Sequence, residues 1–438
     1  MADLTTNFAG IKSPNPFWVA SGPPANSGYQ AHRAFDAGWG GVVWKTIGDP
    51  IINVASRYSA LNLGHNRMIG FNNIELISDR APETNFREIA EVKKRWPNHA
   101  VIASLMVDTR ERWHEFVKRS ADCGADGIEL NFGCPHGMCE RGMGSAVGQN
   151  PKVIEAIVTW VMEVAEIPVI VKLTPNITDI TTGARAAKRA GADSISLINT
   201  INSITNVNLD TFVPEPTVRG KSSHGGYCGP AVKPIALNML QSCAADPEVN
   251  LPICGIGGIG TWRDAAEFIA LGASSLQVCT AIMHYGFRIV EDMTQGLSDY
   301  MDSKGFKTID EFCGRAVPTL QKWETLDIGF QRVARIDYDK CIGCNLCYIA
   351  CEDGAHQCID LKAPDLLGVG LGPGRVPGKP VPKVREEDCV GCNLCSLVCP
   401  VDNCITMTEV PSGRPSFTWS GYQEGLANGT MKEIPPHH

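Results

Sequence analysis

Short apolar runs rich in valine and isoleucine alternate along most of the chain with longer segments whose apolar residues recur at helical spacing. Such an alternation is typical of strands and helices arranged around a parallel sheet. The runs lie at residues 16–22, 40–47, 100–106, 127–132, 168–175, 194–200, 252–258 and 275–281. Eight strand–helix units joined by right-handed crossovers close into a barrel. The pattern therefore predicts an α/β fold, a (β/α)8 TIM barrel.

Two connections between these runs, residues 48–99 and 201–251, are too long to be plain loops. Insertions at the C-terminal face of a barrel usually shape its active site. We predict that residues 1–330 form the barrel with its connecting helices, 331–409 a smaller second domain, and 410–438 a polar tail.

The second domain carries two cysteine runs with the spacing of a bacterial two-cluster ferredoxin, and Pro400 follows the second run. In that pattern the first three cysteines of each run bind one [4Fe-4S] cluster and the fourth binds the other. We assign to cluster 1 Cys341, Cys344, Cys347 and Cys399, and to cluster 2 Cys351, Cys389, Cys392 and Cys395. The prediction for 331–409 is an α+β ferredoxin-like domain that moves electrons one at a time.

Two other interpretations of these cysteines are weaker. A structural zinc site uses two separated Cys-x2-Cys pairs, whereas each run here adds a third cysteine and then a fourth. A disulfide framework needs an oxidising compartment, and the first residues lack the basic and apolar segments of a signal peptide. The cysteines without ligand spacing are Cys123, Cys243, Cys254, Cys313, Cys358 and Cys404.

Composition narrows the classes of partner. The 438 residues have a net charge of −8, from 39 basic and 47 acidic residues, and neither sign forms a long run. This argues against nucleic acid or an anionic membrane as partner. The most apolar long segment, 154–173, is interrupted by charged residues, so no membrane span is predicted. We expect a soluble, cytoplasmic protein.

Polar residues at the C-terminal ends of the predicted barrel strands are the candidates for function, because catalytic residues of this fold lie there. The set comprises Ser21, Lys45, Thr46, Asn131, Lys172, Asn199, Thr200, Gly257, Gly258, Cys279 and Thr280. Lys45 and Lys172 end strongly apolar strands, where a lysine is desolvated unless it meets an anion. A flavin fits two such lysines, since its reduced ring carries negative charge near N1. For each lysine alone, a structural ion pair at the barrel rim is the simpler interpretation.

A glycine-rich run, GIGGIG at residues 255–260, matches the G-x-G-x-x-G pattern of nicotinamide-binding folds. The acidic residue that such folds place at the end of the next strand is absent, since that strand reads SLQVCTA. In a barrel, the loops after strands seven and eight form the usual phosphate site. Gly257, Gly258, Cys279 and Thr280 are therefore predicted to bind the phosphate of FMN, although the glycines alone would also suit a tight turn.

The loop after the fourth run places Cys134 close to the predicted barrel mouth. A thiol with the ordinary pKa of about 8.5 is mostly protonated at neutral pH, so it can donate a proton to a substrate. We predict that Cys134 is such a donor, with an ordinary loop cysteine as the alternative. His136 and Cys139 in the same loop are taken as uninvolved.

Segments at 73–78, 129–144, 171–176, 198–200 and 227–237, together with the cysteine runs, resemble the dihydropyrimidine dehydrogenase family of the dihydroorotate dehydrogenase-like superfamily. The chain looks like the FMN- and pyrimidine-binding iron–sulfur subunit of its bacterial NAD-dependent members. The resemblance implies that Cys134 is the general acid and that the pyrimidine is bound by Asn73, Asn131, Phe132, Gly133, Asn199 and Thr200. It also implies that FMN is bound by Ser21, Lys45, Thr46, Asn131, Lys172, Gly226, Gly257, Gly258, Cys279 and Thr280.

The reaction that the resemblance implies is the reversible reduction of uracil or thymine to the 5,6-dihydropyrimidine. The C5=C6 bond is conjugated to the C4 carbonyl, so hydride from FMN N5 is expected at C6 and the proton from Cys134 at C5. The clusters are expected to deliver electrons singly. Their source is expected to be a partner in a hetero-oligomer, an iron–sulfur flavoprotein subunit that holds FAD and oxidises NADH.

Two other functions stay open from the sequence. A dihydroorotate dehydrogenase is another FMN barrel with a loop cysteine, but its substrate bears a carboxylate that needs further cationic or amide partners. A non-catalytic electron-transfer adaptor would use the barrel only as a docking scaffold. The combination of Lys45, Lys172 and Cys134 argues against the adaptor.

Overall fold

A computed structural model describes residues 2–49, 51, 53–62, 68–135, 142–368, 370, 374, 376, 378–413 and 416–434. The chain forms two compact units, which we call the barrel unit, Met1–Leu320, and the cluster unit, Gln321–His438. The sequence places a domain boundary at 330/331, and that assignment stays a prediction. The boundary between the compact units lies ten residues earlier, at 320/321. Residues 321–330 belong to the second unit because they pack with the C-terminal segment, where Ser416 Oγ donates a hydrogen bond to Asp327 at 2.7 Å.

The barrel unit contains a closed barrel of eight parallel strands, as the apolar runs predict. Barrel strands 1 to 8 are Phe17–Val19, Gly41–Val43, Ala100–Leu105, Gly127–Asn131, Val169–Lys172, Ser194–Leu197, Ile253–Ile256 and Ala273–Val278. Each strand pairs with its neighbours in sequence, and strand 8 pairs with strand 1. Their residues are almost all buried, because helices cover the outside and side chains fill the inside. The (β/α)8 prediction is confirmed.

The helices that follow barrel strands 1 to 8 are Gly28–Ala37, Pro82–Arg95, Arg110–Asp122, Pro151–Met162, Thr181–Arg189, Lys233–Ala244, Trp262–Ala270 and Ile289–Lys304. Two short helices, Ser145–Gly148 and Thr280–Tyr285, lie in the loops after strands 4 and 8. Several of the long helices begin at a residue whose side chain caps the first turn. Thr261 forms a capping box with Asp264, which satisfies backbone N–H groups at the start of helix Trp262–Ala270.

A hairpin near the N-terminus, Thr6–Phe8 and Ile11–Ser13, closes one end of the barrel. Phe8 packs edge-to-face on Trp18 with ring centroids 5.7 Å apart, and Phe8 and Ile11 share a buried cluster with interior residues of several strands. Ile11 lies against Gly127, the first residue of barrel strand 4. The hairpin therefore fills the N-terminal end of the barrel and leaves the C-terminal end for the site.

The two long insertions combine into one four-stranded antiparallel sheet, in the order Ile201–Ser203, Gly225–Cys228, Met68–Asn73, Tyr58–Asn62. Gly226 pairs with Asn73, which joins the insertion after strand 6 to the insertion after strand 2. A further two-stranded ribbon, Val207–Asn208 with Val213–Pro214, extends the second insertion. Neither insertion is a plain loop, in agreement with the lengths seen in the sequence.

The cluster unit repeats one strand–helix–strand pattern twice. The first copy is Gln331–Ile336, Leu346–Glu352 and Ile359–Lys362, and the second is Val381–Val384, Leu394–Leu397 and Ile405–Val410. The outer strands of the two copies pair antiparallel over six residues, and the inner strands pair over four. Each cysteine run enters its helix through an asparagine with positive φ, Asn345 or Asn393. This α+β arrangement agrees with the predicted ferredoxin-like fold.

The segment predicted as a polar tail contains a helix, Trp419–Ala427. Thr418 caps it, since its side chain accepts a hydrogen bond from the N–H of Gly421. Trp419 packs near Trp323 with ring centroids 6.1 Å apart. In the described ranges no helix combines the length and the apolar character needed to cross a membrane.

Candidate functional site

A cavity opens at the C-terminal ends of the barrel strands, on the side opposite the N-terminal hairpin. Thirteen of the sequence-predicted residues line it: Ser21, Lys45, Thr46, Asn73, Asn131, Cys134, Lys172, Asn199, Thr200, Gly257, Gly258, Cys279 and Thr280. They come from barrel strands or loops that are far apart in sequence. Apart from Asn73 and Cys134, these residues were chosen because each lies at the end of a predicted strand or just after it, and the barrel brings them together.

The insertion sheet contributes to the walls of this cavity. Tyr58, Met68, Phe71, Asn73 and Tyr227 line it, and all five lie on strands of that sheet. Asn73 Nδ2 donates to the carbonyl of Gly226 at 3.0 Å, so its side-chain oxygen is the atom left to face a ligand. The sheet supplies mostly apolar surface with a few amide groups, as small-molecule sites commonly do.

A chain of hydrogen bonds orients the amide groups on the cavity floor. Asn131 Nδ2 donates to Thr46 Oγ1 at 3.0 Å, and Asn199 Nδ2 donates to Asn131 Oδ1 at 2.9 Å. The oxygen of Asn199 accepts from the N–H of Thr200 at 2.8 Å. Thr46 also contacts the hydroxyl of Ser21 at 3.2 Å. These bonds hold two amides and two hydroxyls in fixed orientations, which favours recognition of a flat polar ring.

Both predicted lysines end their strands beside a buried carboxylate. Lys45 Nζ lies 2.5 Å from Glu75 Oε1, and Lys172 Nζ lies 3.3 Å from Glu129 Oε1. These are the ion pairs that sequence reasoning weighed as the simpler explanation of each lysine. Both lysines still line the cavity. The predicted contact with the flavin stays a prediction, and any such contact would be made by an already neutralised pair.

Glu75 also binds residues of the insertion. Arg57 Nη1 lies 2.9 Å from Glu75 Oε1, and the hydroxyl of Tyr58 donates to Oε2 at 2.8 Å. Burial, and after it the Glu75 carboxylate, raises the pKa of Tyr58 well above its usual range, so the phenol stays a donor at neutral pH. Glu75 thus ties barrel strand 2 to the insertion sheet through three donors.

Glu129 forms a second buried network inside the barrel. Besides Lys172, its carboxylate accepts from Ser196 Oγ at 2.9 Å and from Gln277 Nε2 at 2.8 Å. Since Gln277 uses its nitrogen on Glu129, its Oε1 is directed elsewhere, and this buried oxygen has no partner among the described residues. Gln277 lines the cavity. A buried oxygen without a donor can accept a hydrogen bond from a ring N–H of a ligand, and the isoalloxazine ring of FMN has such an N–H.

The loop after barrel strand 7 forms the predicted phosphate cradle. Gly257 and Gly258 have φ of 130° and 77°, which disfavour any residue with a side chain. A Cβ on Gly258 would lie 2.8 Å from Lys233 Cβ and 3.0 Å from the carbonyl of Gly229. Close backbone approach of this kind exposes N–H groups to a phosphate. Burial raises the pKa of Cys279 to about 12, so the thiol is neutral and does not repel an anion.

Replacing Gly258 by alanine is expected to weaken FMN binding by roughly ten- to a hundred-fold. The clash and the left-handed backbone cost about 1–3 kcal/mol, and each 1.4 kcal/mol is about tenfold in Kd. FMN affinity is measured by flavin fluorescence titration of the chain stripped of flavin. Gly260→Ala is the matched control, since a Cβ there has its nearest neighbour, Asp264 Oδ2, at 3.8 Å. Equal affinities for the two variants would rule out Gly258 as part of the cradle.

Cys134 is held at the cavity by the loop after barrel strand 4. Its side chain is 6% exposed and lines the cavity. The carbonyl of Cys134 accepts a hydrogen bond from the N–H of Ser145 at 2.9 Å, and a Cβ on Gly144 would lie 3.3 Å from Cys134 Cβ. The base of the loop is thus fixed from the side of helix Ser145–Gly148. Residues 136–141, which include His136 and Cys139, lie outside the described residues.

Three predicted site residues do not line the cavity. Phe132, expected to bind the pyrimidine, turns its ring into the hydrophobic core against Trp113, with ring centroids 6.1 Å apart. Gly133 has a spacing role, because a Cβ there would lie 2.4 Å from Asn199 Cβ. Gly226, expected to bind FMN, lies against Thr200 and accepts from Asn73, so the structure associates it with the predicted substrate residues.

In the cluster unit the cysteines of the two runs surround two separate cavities. One is lined by the four predicted ligands of cluster 1, Cys341, Cys344, Cys347 and Cys399. The other is lined by the four predicted ligands of cluster 2, Cys351, Cys389, Cys392 and Cys395. The fourth cysteine of each run faces the cavity of the other run, as the ferredoxin pattern requires. In the described part of the chain, no three His, Cys, Asp or Glu side chains are grouped closely enough to hold a single metal ion.

Several residues at these sites were missed in the sequence. Glu75 and Glu129 bind the two lysines, Tyr58 and Gln277 line the main cavity, and Cys358 and Cys404 line the two cluster cavities. Glu129 stands in the middle of an apolar strand, where a charge is expected only if it is paired, and this signal was available. The others carry no comparable sequence signal.

Two family models match the chain. The one described as dihydroorotate dehydrogenase matches residues 3–301, and the one described as a 4Fe-4S dicluster domain matches residues 334–407. These two segments cover the barrel strands and both cysteine runs. The barrel and the cluster unit therefore each match a family model of their own.

Curated relatives are similar to most of the chain. The NAD-dependent dihydropyrimidine dehydrogenase subunit PreA of Escherichia coli (strain K12) is 46% identical over 360 residues, which is 82% of this chain and 87% of the relative. The chloroplastic dihydropyrimidine dehydrogenase (NADP(+)) of Arabidopsis thaliana is 42% identical over 72% of this chain and 77% of its own. The catalytic subunit of dihydroorotate dehydrogenase B (NAD(+)) of Pyrococcus horikoshii is 35% identical over 72% of this chain and 98% of its own. All three relatives are named as dehydrogenases.

Proposed function

This chain belongs to the dihydroorotate dehydrogenase family, and from its similarity to dihydropyrimidine dehydrogenases we propose that it catalyses the reversible reduction of uracil or thymine to the 5,6-dihydropyrimidine. It is an oxidoreductase that acts on a pyrimidine and uses FMN and two [4Fe-4S] clusters. The finer assignment to uracil or thymine rests on the cavity.

The observation that carries the proposal is that the described part of the cavity is rich in amides and offers no lysine without a carboxylate partner. Both lysines that line it, Lys45 and Lys172, are already paired with Glu75 and Glu129. Orotate carries a carboxylate, which would need a cation with no carboxylate partner of its own. Uracil is uncharged and presents alternating carbonyl acceptors and N–H donors. The amide of an asparagine offers both a donor, its NH2 group, and an acceptor, its oxygen, so it can pair with either.

The substrate ring is proposed to lie between the amides of the barrel and the insertion sheet. Asn131 and Asn199 are fixed by their mutual hydrogen bond, and Asn73 is fixed by Gly226. Thr200 supplies a hydroxyl from the same loop as Asn199. Since these side chains are oriented before the substrate arrives, little side-chain entropy is lost on binding.

Cys134 is proposed to supply the proton at C5. Its buried place beside the cavity allows a thiol to reach the ring while water is excluded. FMN, held by the cradle at Gly257 and Gly258 and by the unpartnered oxygen of Gln277, supplies the two electrons and one hydrogen of the reduction when bound. In the reverse direction the same sulfur, as thiolate, would take the proton from C5.

The electron source is proposed to be a second subunit that holds FAD and iron–sulfur clusters and oxidises NADH. The glycine-rich run that resembles a nicotinamide motif spans the end of barrel strand 7 and the loop after it, in the position of the proposed phosphate cradle. The similar Escherichia coli protein is named as a subunit of an NAD-dependent enzyme. A hetero-oligomer in which this chain receives electrons through its clusters accounts for both observations.

The isolated chain, loaded with FMN and both clusters, is expected to reduce uracil or thymine with an artificial donor and to leave NADH unoxidised. Turnover is measured for uracil, thymine and orotate with a reduced viologen dye, and NADH consumption is followed at its own absorbance band. Preference for orotate would contradict the proposed substrate. NADH oxidation by this chain alone would contradict the proposed partner.

A further inference from the structure

Each cluster cavity is lined by five cysteines, whereas a [4Fe-4S] cluster takes four cysteine ligands. The fifth is Cys358 at cluster 2 and Cys404 at cluster 1. Both are buried, and each directly precedes a strand, Ile359–Lys362 or Ile405–Val410. They occupy equivalent places in the two copies of the strand–helix–strand pattern. A pair of extra thiols at equivalent places suggests a role toward the clusters.

The thiol of Cys358 faces two ligands of cluster 2, Cys351 and Cys389, and two of its contacts converge on Cys351. Its Sγ lies 3.5 Å from Cys351 Sγ, and its backbone N–H donates to the same sulfur at 3.4 Å. Either sulfur of such a pair can be the donor when both are thiols. A cysteine that binds iron does so as thiolate, so ligation leaves Cys358 as the group that carries the proton. Two donors from residue 358 then converge on the sulfur of Cys351.

Cys404 makes a different contact in the equivalent place. Its Sγ donates to the backbone carbonyl of Asp337 at 3.6 Å. The proton of Cys404 therefore has a main-chain acceptor as well as the neighbouring cluster 1 ligand Cys399, whereas the contacts of Cys358 are with ligand sulfurs. The difference breaks the symmetry between two otherwise matching sites.

We propose that Cys358 is a non-ligating positioning residue whose thiol donates a hydrogen bond to the Cys351 thiolate and thereby raises the reduction potential of cluster 2. Reduction adds a negative charge to the cluster, and part of it resides on the ligand sulfurs. A donor to one of those sulfurs stabilises the reduced state more than the oxidised state. The proposal depends on the presence of the two clusters and not on the identity of the substrate.

The test is a redox titration of the full chain, with both clusters assembled, followed by electron paramagnetic resonance. Cys358→Ala is expected to make cluster 2 harder to reduce, with the ratio of reduced to oxidised cluster at a fixed potential about tenfold lower, or about 59 mV for one electron. Cys358→Ser keeps a donor and is expected to recover most of that ratio. Cys404→Ala is the matched control and is expected to leave cluster 2 unchanged.

Iron analysis of each variant separates the outcomes. Wild-type iron content in Cys358→Ala, with the negative shift, supports the hydrogen bond. An unchanged potential, or an equal shift in the serine variant, overturns it. Loss of iron from cluster 2 in Cys358→Ala also overturns it, because Cys358 would then be a ligand. Failure of the wild-type chain to bind eight irons would instead count against the two-cluster assignment itself.

Discussion

Replacing Cys134 by alanine is expected to slow uracil reduction by roughly 10²- to 10⁴-fold, the range that general acids contribute. The thiol lies buried at the cavity, at the start of the loop after barrel strand 4, where the carbonyl of Cys134 accepts a hydrogen bond from the N–H of Ser145. Without it, the proton for C5 must come from water or from a group that is less well placed. Because the change removes a group needed in the transition state, kcat is expected to fall with little change in the Kd of uracil.

The measurement compares steady-state turnover with an artificial donor in Cys134→Ala, Cys134→Ser and a control. Serine keeps a proton but is a weaker acid, so its turnover is expected to lie between alanine and wild type. Cys123→Ala is the control, since this half-buried cysteine ends helix Arg110–Asp122 and does not line the cavity. Flavin and iron contents are expected to match wild type in all three. Near-normal turnover in Cys134→Ala would end the assignment of Cys134 as the acid.

The barrel was predictable because its signal is local and repeated. Each strand is buried on both faces, so it reads as a continuous apolar run whatever its neighbours are. Once the number of such runs is eight, the position of every strand end follows, and so does the set of residues that follow them. That is why Lys45, Asn131, Lys172 and Asn199 were selected without knowledge of their contacts, and the structure brings all four to one cavity.

The partners of those residues were harder to predict, because they depend on pairing across distant segments. Glu75 lies just after a strand of an insertion whose sheet forms only when Gly226 pairs with Asn73. Nothing local in either insertion specifies that pairing. Phe132 also follows a strand, but its ring packs in the hydrophobic core, and its contact with the pyrimidine stays a prediction. A residue that follows a strand lies at the C-terminal end of the barrel. The sequence position does not determine whether its side chain points into the cavity or into the core.

Cysteine spacing was informative for the ligands and uninformative for the two extra thiols. A run with fixed spacing places its cysteines around one cluster because the short loop leaves few alternative conformations. Cys358 and Cys404 reach the same cavities through the return of the chain into a strand, at different distances from their runs. The equivalence of the two positions is visible only in the folded unit.

Replacing Cys347 by alanine is expected to abolish NADH-driven uracil reduction in the complex with the electron-donating subunit, while dye-driven reduction by this chain continues. Cys347 is buried on helix Leu346–Glu352 and lines the cavity of cluster 1 with the other three predicted ligands. A cluster that loses a thiolate ligand is no longer held, so about four of the eight irons are expected to be lost. The catalytic cavity belongs to a different compact unit, so FMN content is expected to be unchanged.

The two assays together locate the defect. A dye that reduces the flavin directly needs no cluster, whereas electrons from NADH arrive one at a time through the cluster unit. Cys313→Ala is the matched control, because this half-buried cysteine contacts the carbonyl of Ala273 in the barrel unit and is expected to change neither iron content nor either activity. If Cys347→Ala kept NADH-driven turnover after losing its iron, the clusters would lie off the path of the electrons. The loss of both activities together would show instead that the cluster unit supports the fold of the catalytic cavity.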